Sequence, residues 1–87
     1  MDLIQRARAH AALGDPVRLA IVEGLMVSDW SPSELADTHG LATNLLAHHL
    51  AVLERAGVID RSASAGDRRR RYVRLRPGTL VWLGRRL

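Results

Sequence analysis

Eighty-seven residues are enough for one compact domain with a single modest core and too few for two. An apolar share of 47% with 25% charged residues is the balance of a globular chain, and no apolar run approaches the roughly 18 residues of a spanning helix, so disorder and a membrane span are both set aside. The net charge is +4, every one of the thirteen cations is an arginine, and there is no cysteine, which excludes disulfides, thiolate metal sites and cysteine nucleophiles.

Residues 3 to 13, LIQRARAHAAL, alternate small apolar and polar groups at helical spacing, and Gly14 follows where a helix stops. Asp15 can cap the free amides of a second helix, and Pro16 in its first turn sacrifices no hydrogen bond. This helix runs to about residue 26. Val17, Ala20, Ile21 and Leu25 make one stripe and Leu19, Val22 and Met26 another, which predicts a central core helix. Ser31 and Glu34, with Pro32 between them, form a reciprocal capping box that opens a short third helix; Leu35 and Ala36 point inward, and it stops at Gly40.

After a turn in which Thr43 is a candidate cap, a longer fourth helix runs to about residue 56. It places Leu46, His49, Leu50 and Leu53 on one face and Asn44, His48, Ala51 and Arg55 on the other, so one face packs and the other is free to bind. Gly57 ends it. Val58 and Ile59 begin an extended segment, a small polar loop at residues 62 to 67 interrupts, and a second strand covers residues 70 to 76. In that strand Val73 and Leu75 alternate with Tyr72, Arg74 and Arg76, so one side covers the core while the other presents cations. Residues 77 to 79 break the strand, and Leu80, Leu83 and Leu87, with Trp82 beside them, suggest a last helix.

The predicted fold class is therefore mainly α with a small β-hairpin, in the order α-α-α-α-β-β-α: a winged helix-turn-helix, with residues 1 to 87 as a single domain or as the amino-terminal module of a longer protein. Charge follows the same division. Residues 1 to 60 carry four Arg against eight acidic residues, and residues 61 to 87 carry nine Arg against the single Asp67, which favours a polyanion partner. A helix of ordinary diameter enters the major groove of double-stranded DNA, so the candidate base-reading residues are Thr43, Asn44, Leu45, Ala47, His48 and Arg55. The wing candidates are Arg68, Arg69, Arg70, Arg71 and Arg74, which would pair with phosphates or reach into the minor groove. His49 lies on the apolar stripe and reads as a buried histidine holding a backbone carbonyl, while His10 and His39 read as surface residues. Consecutive helical residues diverge by about 100°, so His48 and His49 cannot share an ion, and neither a metal nor a cofactor is expected.

Three stretches also resemble one family, the arsenical resistance repressor (ArsR-type) transcription factors. ALGDPVRLAIVEGL at 12 to 25 resembles that family's second helix, SELADTHGL at 33 to 41 its first motif helix, and HHLAVLERAGVI at 48 to 59 its recognition helix and first wing strand. The resemblance implies a homodimeric repressor released from its operator by a metal ion or another signal. Ser31 and Ser33 stand where metal-sensing members carry cysteines, so a soft-metal thiolate site is impossible. Leu45, Ala47 and Ala51 replace the polar or basic residues usual in the recognition helix.

The expected protein is thus a cytoplasmic, DNA-binding transcription regulator and likewise a homodimer, with Leu3, Ile4, Ala7, Leu80, Trp82, Leu83 and Leu87 as its dimer seam. The alternative is a winged helix that docks protein and regulates a longer enzyme. An enzyme in its own right is not expected, because no glycine-rich phosphate loop or paired-carboxylate cleft can be assembled from so short a chain.

Overall fold

The computed structural model describes residues 2–63 and 71–79. Its elements are α1 (Leu3–Leu13), α2 (Pro16–Leu25), α3 (Pro32–His39), α4 (Thr43–Arg55), β1 (Ile59–Ala63) and β2 (Arg71–Leu75). The starts of α1, α2 and α3 are explained locally. Asp2 and Gln5 form a capping box on α1, a signal overlooked in the sequence; Asp15 accepts from the amides of Val17 and Arg18 ahead of Pro16; and Ser31 and Glu34 form the expected box on α3. At α4 the expectation fails. Ala42 occupies the cap position with no side-chain bond, and Thr43 is already the first helical residue.

The core is a single cluster in which Ala9 and Ala12 of α1, Ile21, Val22 and Leu25 of α2, and Leu35 of α3 meet Leu46, Leu50 and Leu53 of α4. Val58, Ile59, Val73 and Leu75 close it from the hairpin side. The second helix is less enveloped than its two apolar stripes suggested: Ile21, Val22 and Leu25 are buried, but Leu19 and Ala20 are exposed. A helix packed between two neighbours still leaves a third side to solvent.

The two strands pair antiparallel with Ile59 opposite Leu75, Asp60 opposite Arg74, Arg61 opposite Val73, Ser62 opposite Tyr72 and Ala63 opposite Arg71. Pairing therefore continues through residues 62 and 63, where a loop was expected. Trp30, just before α3, adds a one-residue bridge to β2, exchanging backbone hydrogen bonds with Val73 at 3.1 and 2.7 Å. Its indole Nε1 donates to the carbonyl of Gly24 at 3.1 Å, so the wing is tied to the end of α2. Residues 77–79 are already helical, ahead of the expected start at Leu80, and the buried Thr79 hydroxyl donates to the carbonyl of Gly57 at 3.2 Å.

Candidate nucleic-acid interface

The candidate surface is built on the pair α3–α4. Gly40 ends α3 in the left-handed conformation, φ 63°, which an L side chain enters only with strain, and the amide of Leu41 reaches back to the carbonyl of Ala36 at 2.9 Å. That closed turn sets the angle at which α4 leaves α3. Leu46, His49, Leu50 and Leu53 then face the core, as the spacing predicts, and Asn44, Leu45, Ala47 and His48 are exposed, together with Thr43 at the first position. Leu45 is 45% exposed, a large apolar side chain left in water on a helix whose inner face is otherwise fully used.

His49 is 6% exposed, and its partner is a side chain where a backbone carbonyl was expected. Arg18 Nη1 lies 3.2 Å from His49 Nδ1, and Arg18 Nε donates to the carbonyl of Ala12 at 2.7 Å. A guanidinium has no acceptor, so Nδ1 accepts and the ring proton sits on Nε2. Arg18 thereby links the end of α1, α2 and the middle of α4. Its sequence carries no local sign of this, because the partner lies 31 residues away. Asp15, at the start of the same helix, is held below the ordinary carboxylate range, first by the hydrogen bond from the Arg18 amide.

The hairpin is fastened to the other flank of α4 by Arg61, whose Nε is 3.2 Å from Glu54 Oε2. Arg61 also lines a groove of about 370 Å³ between α3, α4 and β1, with Ala36, Thr43, Ala47 and Leu50 on its other walls. Directly opposed residues share a sheet face, so Arg61 and Arg71 lie on the face of Val73 and Leu75, toward α4, while Arg74 lies on the outer face across from Asp60. Asp60 in turn reaches Arg76 at 4.0 Å. Of the expected wing candidates, the two within the described residues, Arg71 and Arg74, are thus on opposite faces; both are exposed. Arg68, Arg69 and Arg70 lie outside the described residues.

Arg55 shares the outward face with Asn44 and His48 but stands eleven positions beyond Asn44, roughly 16 Å along the axis. There it meets α1, lining a shallow recess with Arg8, Val52 and Ala56. On α1 itself Leu3 and Ile4 are 73% and 65% exposed, and Ala7 completes an apolar stripe on the side away from the core. The other expected seam residues, Leu80, Trp82, Leu83 and Leu87, lie outside the described residues. No helix among the described residues is long and apolar enough to cross a membrane.

A short helix, a closed turn, a second helix with a free outer face and an adjoining antiparallel hairpin define a winged helix-turn-helix domain. A family model described as a helix-turn-helix domain matches residues 13–62, and the chain belongs to that family. Among solved structures, reduced HlyU from Vibrio cholerae N16961 is similar with a TM-score of 0.78 at 22% identity, over 93% of this chain and 83% of its own. Mb0332 from Mycobacterium bovis, a homodimeric winged helix-turn-helix DNA-binding domain described as a possible ArsR-family transcriptional regulator, gives 0.80 at 22% identity, over 94% and 74%. MepR of S. aureus, solved as a complex with DNA, gives 0.73 at 17% identity, over 92% and 70%. No curated protein sequence matches the chain. The winged helix-turn-helix fold is borne out, and the chain shares it with a structure described as a possible ArsR-family regulator.

Proposed function

We propose that this chain is a dimeric, sequence-specific, double-stranded DNA-binding regulator of transcription that acts in the cytoplasm as a repressor, and that it performs no catalysis of its own. The observation that carries the proposal is the outer face of the first two turns of α4, where Thr43, Asn44, Leu45, Ala47 and His48 stand free beside a hairpin whose inner face continues into Arg71. In helix-turn-helix docking the amino-terminal residues of the second helix meet base edges and the neighbouring elements meet phosphates.

The chemistry of that face has a bias. Ahead of Arg55, α4 carries no Arg or Lys, so the usual bidentate contact to guanine is missing from its reading end. Asn44 can pair with adenine N6 and N7, and Leu45 and Ala47 can pack on thymine methyls. The half-site is accordingly weighted toward A·T pairs, with His48 as the remaining polar reader. Arg71, and Arg68, Arg69 and Arg70 with it, supply phosphate contacts. The exposed stripe of Leu3, Ile4 and Ala7 belongs to the seam between two copies, in keeping with the homodimeric state given for Mb0332, and the sequence assigns Leu80, Trp82, Leu83 and Leu87 to the same seam.

Selection of bound duplexes from a random pool at about 0.15 M salt, where loose phosphate attraction is screened, tests this reading. Enrichment of an inverted repeat is expected. Recovery of no preferred sequence would overturn it and leave a winged helix that docks protein.

A further inference from the structure

Behind the reading surface, at the carboxyl end of α4, the chain forms a second cleft of about 420 Å³ between α1, the end of α4 and residues 76–79. Three arginines line it from three separate elements: Arg8 from α1, Arg55 from α4 and Arg76 from the segment after β2. We infer that this cleft binds a small molecule carrying at least two anionic phosphate oxygens, held by Arg8, Arg55 and Arg76.

The charges are not balanced from within. Glu54 also lines the cleft, but its carboxylate is committed to Arg61 at 3.2 Å, and Arg76 has only the loose contact with Asp60 at 4.0 Å. Among the described residues neither Arg8 nor Arg55 has a carboxylate partner. A helix carboxyl end carries about half a negative charge, which one cation satisfies; three converging on it leave a surplus of positive potential focused in a concave site. Guanidinium forks match phosphate oxygens in pairs, which makes arginine the residue for such a ligand.

Space and donors agree with that assignment. Gly57 and Gly78 line the cleft without side chains to fill it, and its volume falls within the range of small-molecule sites. Gln5 also lines the cleft, and with its Oε1 engaged by the amide of Asp2 at 2.9 Å its side-chain NH2 donors are left available. An occupant would join α1, which carries the exposed apolar stripe, to the helix that carries Asn44 and His48.

Inorganic pyrophosphate is the probe, titrated into the whole chain at constant ionic strength of about 0.15 M and followed by amide proton–nitrogen spectra. Saturable shifts at Ala56, Gly57 and Gly78, with a dissociation constant below about 1 mM, are expected. The double variant Arg8→Gln, Arg55→Gln should weaken binding by roughly tenfold or more, whereas Arg71→Gln should leave it unchanged. Both variants alter exposed side chains, and the spectra themselves report whether the fold is kept. Shifts that never saturate, that chloride reproduces, that centre on the wing, or that survive the double variant would each overturn the site. None of these readouts involves a duplex, so failure here is separate from failure of the DNA-binding reading.

Discussion

Removing Arg71 and Arg74 one at a time separates the two faces of the wing. Both side chains are exposed, but Arg71 shares the sheet face that turns toward α4 and Arg74 lies on the far face, opposite Asp60. On the proposed docking, a duplex seated against the amino end of α4 would lie toward the face of the first and away from that of the second. Each neutralised phosphate contributes about 0.9 to the slope of log affinity against log salt, so Arg71→Ala, lost from both copies of a dimer, should flatten the slope by about 1.8. Between 50 and 200 mM salt that amounts to roughly a twelvefold smaller loss of affinity for the variant than for the parent chain. Arg74→Ala should move the slope by a few tenths at most. Fluorescence anisotropy with one selected duplex at five or six salt concentrations measures all three proteins. Equal slopes for Arg71→Ala and the parent, or equal effects from the two substitutions, would refute the sidedness argument.

Replacing thymine by uracil in the selected half-site removes one methyl group and nothing else; against Leu45 or Ala47 this should cost about 0.8 kcal/mol, close to fourfold, at each contacted position. Indifference at every thymine would mean that the apolar residues do not touch bases. Leu53, fully buried in the core, should cost roughly 2 to 5 kcal/mol when changed to Ala, read as a lower denaturation midpoint with an unchanged slope. For Asp15 the folded-state pKa lies below the unfolded one, chiefly through the Arg18 amide. Its stabilisation is therefore present above the unfolded pKa of about 3.9 and lost as pH falls through the folded value. Asp15→Asn should accordingly lose less stability on acidification than the parent chain; parallel curves would show that the charge on the cap contributes nothing.

What the sequence made legible was local. The Ser31 and Glu34 box, the Asp15-Pro16 start and the two faces of α4 depend on residues one to four apart, and the spacing reveals them. The anchors of the site are not local. Arg18 meets His49 across 31 residues, Trp30 bridges to Val73, and Thr79 reaches back to Gly57, and no periodicity marks any of these. The sidedness of Arg71 lies between the two cases. Alternation with Val73 and Leu75 already puts it on the inner face, but grouping it with the neighbouring arginines as one run of charge hides that parity. Thr43 misled for a similar reason: a hydroxyl one residue inside a helix looks like a cap until the backbone shows Ala42 in that place.

The proposed division of labour between α4 and the wing has a consequence for how specificity responds to conditions. Ahead of Glu54, α4 carries no Asp, Glu, Lys or Arg, whereas the hairpin carries Arg61 and Arg71 on its inner face. Contacts to phosphate carry no direct sequence information, and the base-edge contacts proposed for Asn44, Leu45 and Ala47 would release no counterions. Raising salt should then lower affinity for every duplex by the same factor and leave the ratio between a selected site and a single-mismatch site unchanged, at the roughly 1 to 3 kcal/mol expected of one base pair. A ratio that collapses with salt would mean that discrimination resides in the arginines, through the width of the minor groove, and would transfer the specificity of this protein from its helix to its wing.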